Sequence, residues 1–225
     1  ITLEKKEAEL NNLASELRAK ENNLREKEDE LNKLSSEIDI KNKQLQEKEQ
    51  KIRELSDMLQ KSREEATKIK EELAASLSGF KAEGLNVQQK DGKIYVVMEQ
   101  KLLFPKAEWT ISPRGKEAVI KLAKTLEKYQ NIRLIVEGHT DKDPYRGSGN
   151  LKDNWDLSVI RATTVTKLIL ETSKIRPEQI IPAGRAEFVP VDPGDTEEAK
   201  SKNRRVEFII EPDLSPVFKL LESMK

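Results

Sequence analysis

No cysteine occurs in the 225 residues, and His139 is the single histidine. Disulfides, thiolate metal sites and cysteine nucleophiles are thereby excluded, and a histidine pair or a histidine-based zinc cluster cannot be built. Aromatic residues make up only 4% of the chain. Apolar runs such as Ile94–Met98 fall far short of the roughly 18 residues a membrane helix needs, and no signal-like start is visible. The sequence opens at Ile1, so any targeting or anchoring segment is expected upstream of it. An excess of one charge is also missing: 41 Lys+Arg stand against 41 Asp+Glu, which argues against a nucleic-acid partner. At 36% charged residues, however, the chain is too polar to form one compact domain throughout.

Residues 1–78 lack glycine, proline and aromatics altogether; the first of each are Gly79, Pro105 and Phe80. Such a segment is a long helix or a disordered tract, and periodicity decides for the helix. Leu3, Leu10, Leu17, Leu24, Leu31, Ile38, Leu45, Ile52, Leu59, Ala66 and Leu73 recur at an unbroken spacing of seven. This is the pattern of a left-handed coiled coil. Residues 10–30 and 31–51 share ten identities, so three heptads form one repeating unit. A continuous helix here would extend on the order of 115 Å, the dimensions of a stalk. The second seam row is mixed, with Leu13, Leu34, Leu55 and Ile69 but Lys20, Lys27, Lys41 and Lys48 between them, which favours a two-stranded assembly. A homo-oligomer, first a parallel dimer through residues 1–79, is therefore expected. The other reading is a lone helix supported by pairs such as Glu16/Lys20 and Glu64/Lys68, worth a few tenths of a kcal/mol each. It would leave the whole leucine row bare.

Residues 80–213 read as an α+β domain and 214–225 as a helical tail. Asp91-Gly92 between two β-rich runs, 87–90 and 93–99, predicts a hairpin. Ser112-Pro113 opens a helix reaching Tyr129, in the favoured order of cap and then proline. A strand at 132–138, a helix begun near Asp153 or Asn154, a strand at 180–185, a short helix at 196–201 and a strand at 205–210 follow. The order is β-α-β-α-β-β with the hairpin at its start.

Four ordered motifs stand out: Val136-Glu137-Gly138-His139-Thr140-Asp141; Asn154-x-x-Leu157-Ser158-x-x-Arg161-Ala162; Gly184-Arg185-Ala186-Glu187-x-x-Pro190; and Asn203-Arg204-Arg205-Val206-Glu207. Together they resemble the OmpA C-terminal-like family, the peptidoglycan-binding domain also found in Pal and MotB, over residues 85–211. The stalk and the Trp155-Asp156-Leu157-Ser158 form of the second motif are similar to those of Bacteroidetes-type envelope proteins.

The resemblance implies a non-enzymatic protein of the periplasm or cell envelope, associated with the outer membrane as a lipoprotein would be. It would bind the diaminopimelate of the peptidoglycan stem peptide and tether the envelope to the wall. Alternatives are a MotB-like stator subunit of an ion-driven motor and a peptidoglycan-processing enzyme. The free end of diaminopimelate carries an ammonium and a carboxylate, so its receptor needs an acceptor-only anion and a cationic fork. Asp141 and Arg161 match the family positions for these two roles. Thr140 and Asn154 are further candidates, with local capping the competing reading. Strand alternation sends one of Arg204 and Arg205 inward, and the motif match favours Arg205. Leu157 reads as core beneath the site. Trp155 and Trp109 read first as packing residues, with sugar platforms the other reading. His139, with only carboxylates for neighbours, points to no metal, cofactor or catalytic role. The segment 142–153 is longer than the family's usual loop, and Tyr145 and Arg146 within it either add contacts or are merely exposed.

Overall fold

The computed structural model describes residues 2–105, 108–145, 147 and 151–223. The chain divides into two units, one made of Ile1–Ser56 with Leu220–Lys225 and the other of Asp57–Lys219. In the first, helix α1 (Thr2–Ser76) shows its leucines to solvent, Leu3 at 77% and Ile52 still at 59%. This is the unbroken helix that the absence of breakers predicts.

The second unit opens inside α1 and not at the expected 79/80 boundary. Leu59 is 40% exposed, whereas Ala66, Ile69, Leu73 and Leu77 are fully buried in the core of the domain. The heptad row that reads as one continuous seam thus changes its neighbours between Leu59 and Ala66. Polar contacts fix these last turns to α3 (Pro113–Leu126) and the residues after it. Tyr129 Oη donates to Glu72 Oε2 at 2.8 Å, Thr125 Oγ1 donates to Ser76 Oγ at 3.1 Å, and Lys128 Nζ pairs with Glu72 at 2.5 Å.

The remaining elements are β1 (Leu85–Lys90), β2 (Lys93–Glu99), α2 (Gln100–Leu103), α3, β3 (Ile132–His139), α4 (Asn154–Thr172), β4 (Ile180–Gly184), α5 (Glu197–Asn203), β5 (Arg205–Pro212) and α6 (Ser215–Glu222). Short 3-10 turns cover Ser78–Glu83 and Pro177–Gln179. The strands form one sheet in the order β1-β2-β5-β3-β4, antiparallel except for the β3–β4 pair. The expected α+β order holds, hairpin included: Asp91 and Gly92 both take positive φ, at 52° and 75°, as its two-residue turn demands. Alternation buries Ile94, Val96 and Met98 of β2 with Val206, Phe208 and Ile210 of β5 on one sheet face. That face packs in one cluster with α3, α4 and the end of α1.

Caps set where the helices begin. Ser112 Oγ accepts from Gly115 N at 2.9 Å with Pro113 behind it, and Asp153 Oδ1 accepts from Asp156 N at 3.1 Å. The seating of α4 depends on two glycines. A Cβ on Gly138 would lie 2.2 Å from the Ser158 carbonyl oxygen, and one on Gly184 would lie 2.4 Å from Ser158 Oγ. Only backbone without a side chain lets the first half of α4 lie this close to β3 and β4.

Gly138→Ala should therefore destabilise the domain by about 1–3 kcal/mol in urea unfolding, the usual range for overpacking. Gly79→Ala, whose Cβ would meet nothing within 4 Å, should stay within about 0.5 kcal/mol of the parent. Equal stability of the two variants would show that α4 is not held at this spacing.

Candidate ligand-binding site

The motif residues converge where β3 ends. Asp141, two residues past the strand, and Arg161, two turns into α4, line one cavity of about 660 Å³ together with Thr140, Asn154, Tyr145 and Arg204. A larger hollow of about 900 Å³, lined by Leu59, Arg133 and Phe218 among others, contains none of the expected site residues.

Asp141 is 8% exposed and already engaged. Its Oδ2 accepts from Arg204 Nη1 at 2.5 Å, and its Oδ1 accepts from Asp143 N at 3.1 Å, closing an Asx turn. Asn154 Nδ2 donates to the carbonyls of Asp141, at 3.4 Å, and Asp143, at 3.1 Å. Thr140 donates its hydroxyl to the Asp141 carbonyl at 2.9 Å. Asn154 and Thr140 thus line the cavity and at the same time secure the loop that carries Asp141, so both readings of these residues apply.

Arg161 is 3% exposed. Its Nε donates to the Glu108 carbonyl at 3.0 Å, its Nη1 to Gln100 Oε1 at 3.4 Å, and its guanidinium lies 5.2 Å from the Phe104 ring centre. Nη2 has no acceptor among the described residues. Burial, and then the neighbouring Arg204 charge, pull the Arg161 pKa down to about 10. The guanidinium stays charged at neutral pH, but under electrostatic pressure. For Arg204, burial acts downward, the hydrogen bond it donates to Asp141 acts upward, and the net direction is up. Arg204 is shared between Asp141, at 2.5 Å, and Glu197, at 3.4 Å, whereas Arg161 has no carboxylate partner among the described residues, an arrangement suited to an added anion beside Arg161.

Arg205 does not reach this cavity, contrary to the expectation for it. It begins β5 beside Glu99 and His139, 3% exposed, with Nε 2.6 Å from Glu207 Oε1 and its Nη atoms donating to the carbonyls of Asn203 and Val189. Alternation misassigns the pair because Arg204 caps α5 and is not part of the strand. The last turn of α5 therefore sets its direction. Gln100, the first residue of α2, is a further cavity residue for which the sequence offers no signal. Leu157 is buried but lines the cavity as well. Tyr145 lines it with a buried hydroxyl that has no partner among the described residues, whereas Arg146 lies outside them.

His139 is 1% exposed, its Nε2 3.2 Å from Glu137 Oε1 but not aligned for a hydrogen bond. With Glu207 these two bring metal-ligand atoms within 4.8 Å of one another. Arg185 pairs with Glu137 at 3.0 Å and Arg205 with Glu207, so both carboxylates are already neutralised. A dication would leave a buried positive excess, and the group is better described as an ion-pair brace behind the cavity.

Residues 103–204, which follow the long helix, match the OmpA family. The chain's sequence is similar to Motility protein B of Bacillus subtilis, 28% identical over 151 residues, covering 67% of this chain and 58% of that protein. It is also similar to the Peptidoglycan-associated lipoprotein of Buchnera aphidicola, 32% identical over 104 residues, covering 46% of this chain and 57% of that one. The chain thus spans a little over half the length of these curated relatives. Among solved structures, the cell wall anchor of the T6SS from Pseudomonas aeruginosa superposes with a TM-score of 0.57 at 26% identity, over 62% of this chain and 96% of that one.

The two neighbouring arginines should separate by stability. Arg205→Ala leaves the half-buried Glu207 and the carbonyls of Asn203 and Val189 without their donor and should lower unfolding stability by about 3 kcal/mol. Arg204→Ala strands one oxygen of Asp141 while the other keeps its bond from Asp143 N, and should lower it by less, about 1–2 kcal/mol. Chemical denaturation distinguishes the two, and the reverse order would mean that the two side chains are exchanged.

Proposed function

We propose that the domain binds peptidoglycan non-covalently and serves to hold a cell-envelope component to the wall. The observation that carries this reading is the convergence of Asp141 and Arg161, from a strand end and a helix, on one cavity. The relatives named for motility, for peptidoglycan association and for a cell wall anchor support it. In this reading the ligand is the diaminopimelate end of the stem peptide. Arg161 takes its carboxylate through the Nη2 edge, and Asp141, shared with Arg204, takes its ammonium. Arg204 replaces Arg205 as the third charged residue, and Asn154 and Thr140 keep the Asp141 loop in register. The work is recognition without bond making, and the place of action is the cell envelope.

A hydrogen bond to a charged group contributes roughly 1.5–3 kcal/mol, and one decade of affinity corresponds to about 1.4 kcal/mol. Arg161→Ala and Asp141→Ala should each weaken binding to purified sacculi at least about tenfold. Walls with lysine in place of diaminopimelate lack the carboxylate and should bind poorly. Pelleting assays with both wall types test this, and indifference to wall type or to either substitution would refute the assignment.

The exposed leucine row of α1 supports self-association, with a parallel dimer first, because burying each leucine contributes about 1.5–3 kcal/mol. Paired copies would hold a polymeric wall by avidity without any new contact. Leu31→Glu with Leu45→Glu should lower mass in sedimentation equilibrium and retention on sacculi together, while the affinity for a free stem peptide stays unchanged. Unchanged mass would leave α1 a solitary helix.

A stator role is the second reading, favoured by the similarity to Motility protein B extending over 151 residues, beyond the 103–204 match. An upstream membrane helix bearing a carboxylate in the full gene product would select it.

A further inference from the structure

Trp155 and Phe188 stack at a centroid distance of 5.6 Å and an interplanar angle of 28°, yet remain 47% and 65% exposed. An aromatic pair left in water forgoes the gain that burial in the core would bring, and both rings keep surface open to solvent. Packing alone does not account for this placement.

The pair is fixed to the frame of the cavity. Ser158 Oγ donates to the Trp155 carbonyl at 2.9 Å and accepts from Ala186 N at 3.2 Å. The Ala186 carbonyl in turn accepts from Thr140 N at 2.9 Å, and Phe188 N closes a turn on the Arg185 carbonyl at 3.2 Å. Ala186 holds a left-handed φ of 47° between these bonds. Trp155 also follows Asn154, whose amide reaches into the cavity. Both rings are thus one or two residues from groups that hold or line the cavity, and their spacing from Asp141 is set by hydrogen bonds.

We propose that Trp155 and Phe188 form a sugar subsite for the pyranose face of an N-acylated hexosamine in the glycan strand whose stem peptide enters the cavity. The inference rests on the wall-binding reading and extends it to the carbohydrate. A stem peptide arrives covalently joined to its glycan, so a surface beside the cavity meets sugar as a matter of course. The axial C–H faces of a pyranose are apolar and suit an exposed ring face, which the charged cavity cannot offer. Arg185, with its side chain 54% exposed and its carbonyl joined to Phe188, supplies N–H donors for hydroxyl or acetamido oxygens at the rim.

The test uses the full chain carrying Trp109→Phe, which leaves Trp155 as the reporting fluorophore. The probes are peptide-free glycan strands released from sacculi and a free diaminopimelate-containing stem tripeptide. Glycan strands should change Trp155 emission saturably. Trp155→Ala and Phe188→Ala should each reduce retention on intact sacculi about tenfold, the equivalent of roughly 1.4 kcal/mol, with Trp155→Phe restoring most of it. Affinity for the free tripeptide should change by less than about twofold, since the sugar is absent from that ligand. An emission that does not respond to glycan, or a tripeptide affinity that falls in parallel, overturns the proposal. So does a loss of retention that accompanies a loss of self-association, which would make the pair a contact between copies. Failure of the cavity reading appears separately, as a tripeptide affinity indifferent to Arg161→Ala while Trp155 still reports glycan.

Discussion

The distance between α4 and the parallel pair β3–β4 governs the rest of the domain. At Gly138 and Gly184 the helix lies so close that a methyl group would enter the space of Ser158. This contact brings Arg161 and Asn154 down to the level of the strand end where Asp141 sits, and it brings the Ser158 hydroxyl within reach of the Ala186 N–H in the loop after β4. Had either glycine carried a side chain, α4 would ride higher, and the guanidinium of Arg161 would move away from the Asp141 loop. The cavity is therefore a product of packing first and of charge second.

Charge then gives the cavity its preference. Arg161 is stripped of water and sits beside a second guanidinium, so its pKa falls to about 10. The folded protein bears this unfavourable term because the backbone carbonyl of Glu108 and the amide of Gln100 hold the side chain in place. In the proposed reading, an anion entering beside Arg161 would relieve this pressure. The ion-pair brace of Glu137, Arg185, Arg205 and Glu207 lies just behind and keeps the adjacent backbone of β3 and β5 in register.

Much of this was legible in the residue order. Heptads announce α1 because its leucines must lie on one stripe whatever they touch, and Asp91-Gly92 announces the hairpin because few other pairs tolerate two positive φ values. Asp141 and Arg161 were found through motif resemblance, and geometry brings them to one cavity. Other features were hidden for physical reasons. The heptad row continues unbroken through Ala66 and Leu73, so periodicity cannot say where the neighbour changes from outside the domain to its own core. The choice between Arg204 and Arg205 turns on whether a residue belongs to the helix end or to the strand, a difference of one position that alternation cannot resolve. The four residues of α2 are too short for any period to show.

The burial of the last turns of α1 has a mechanical meaning if the domain tethers as proposed. Leu85 opens β1 at the same end of the sheet as Gly138, because Leu85 faces Met98, Met98 faces Val206 and Val206 faces Gly138. A pull between the wall and the chain before β1, applied directly to that strand, would meet its hydrogen bonds one at a time from one end, the weakest way to load a ladder. Ile69, Leu73 and Leu77 intercept such a pull. Embedded in the core ahead of β1, they spread the force over many side-chain contacts at once, so the edge strand is shielded from peeling and the helix becomes the clamp by which the domain is held.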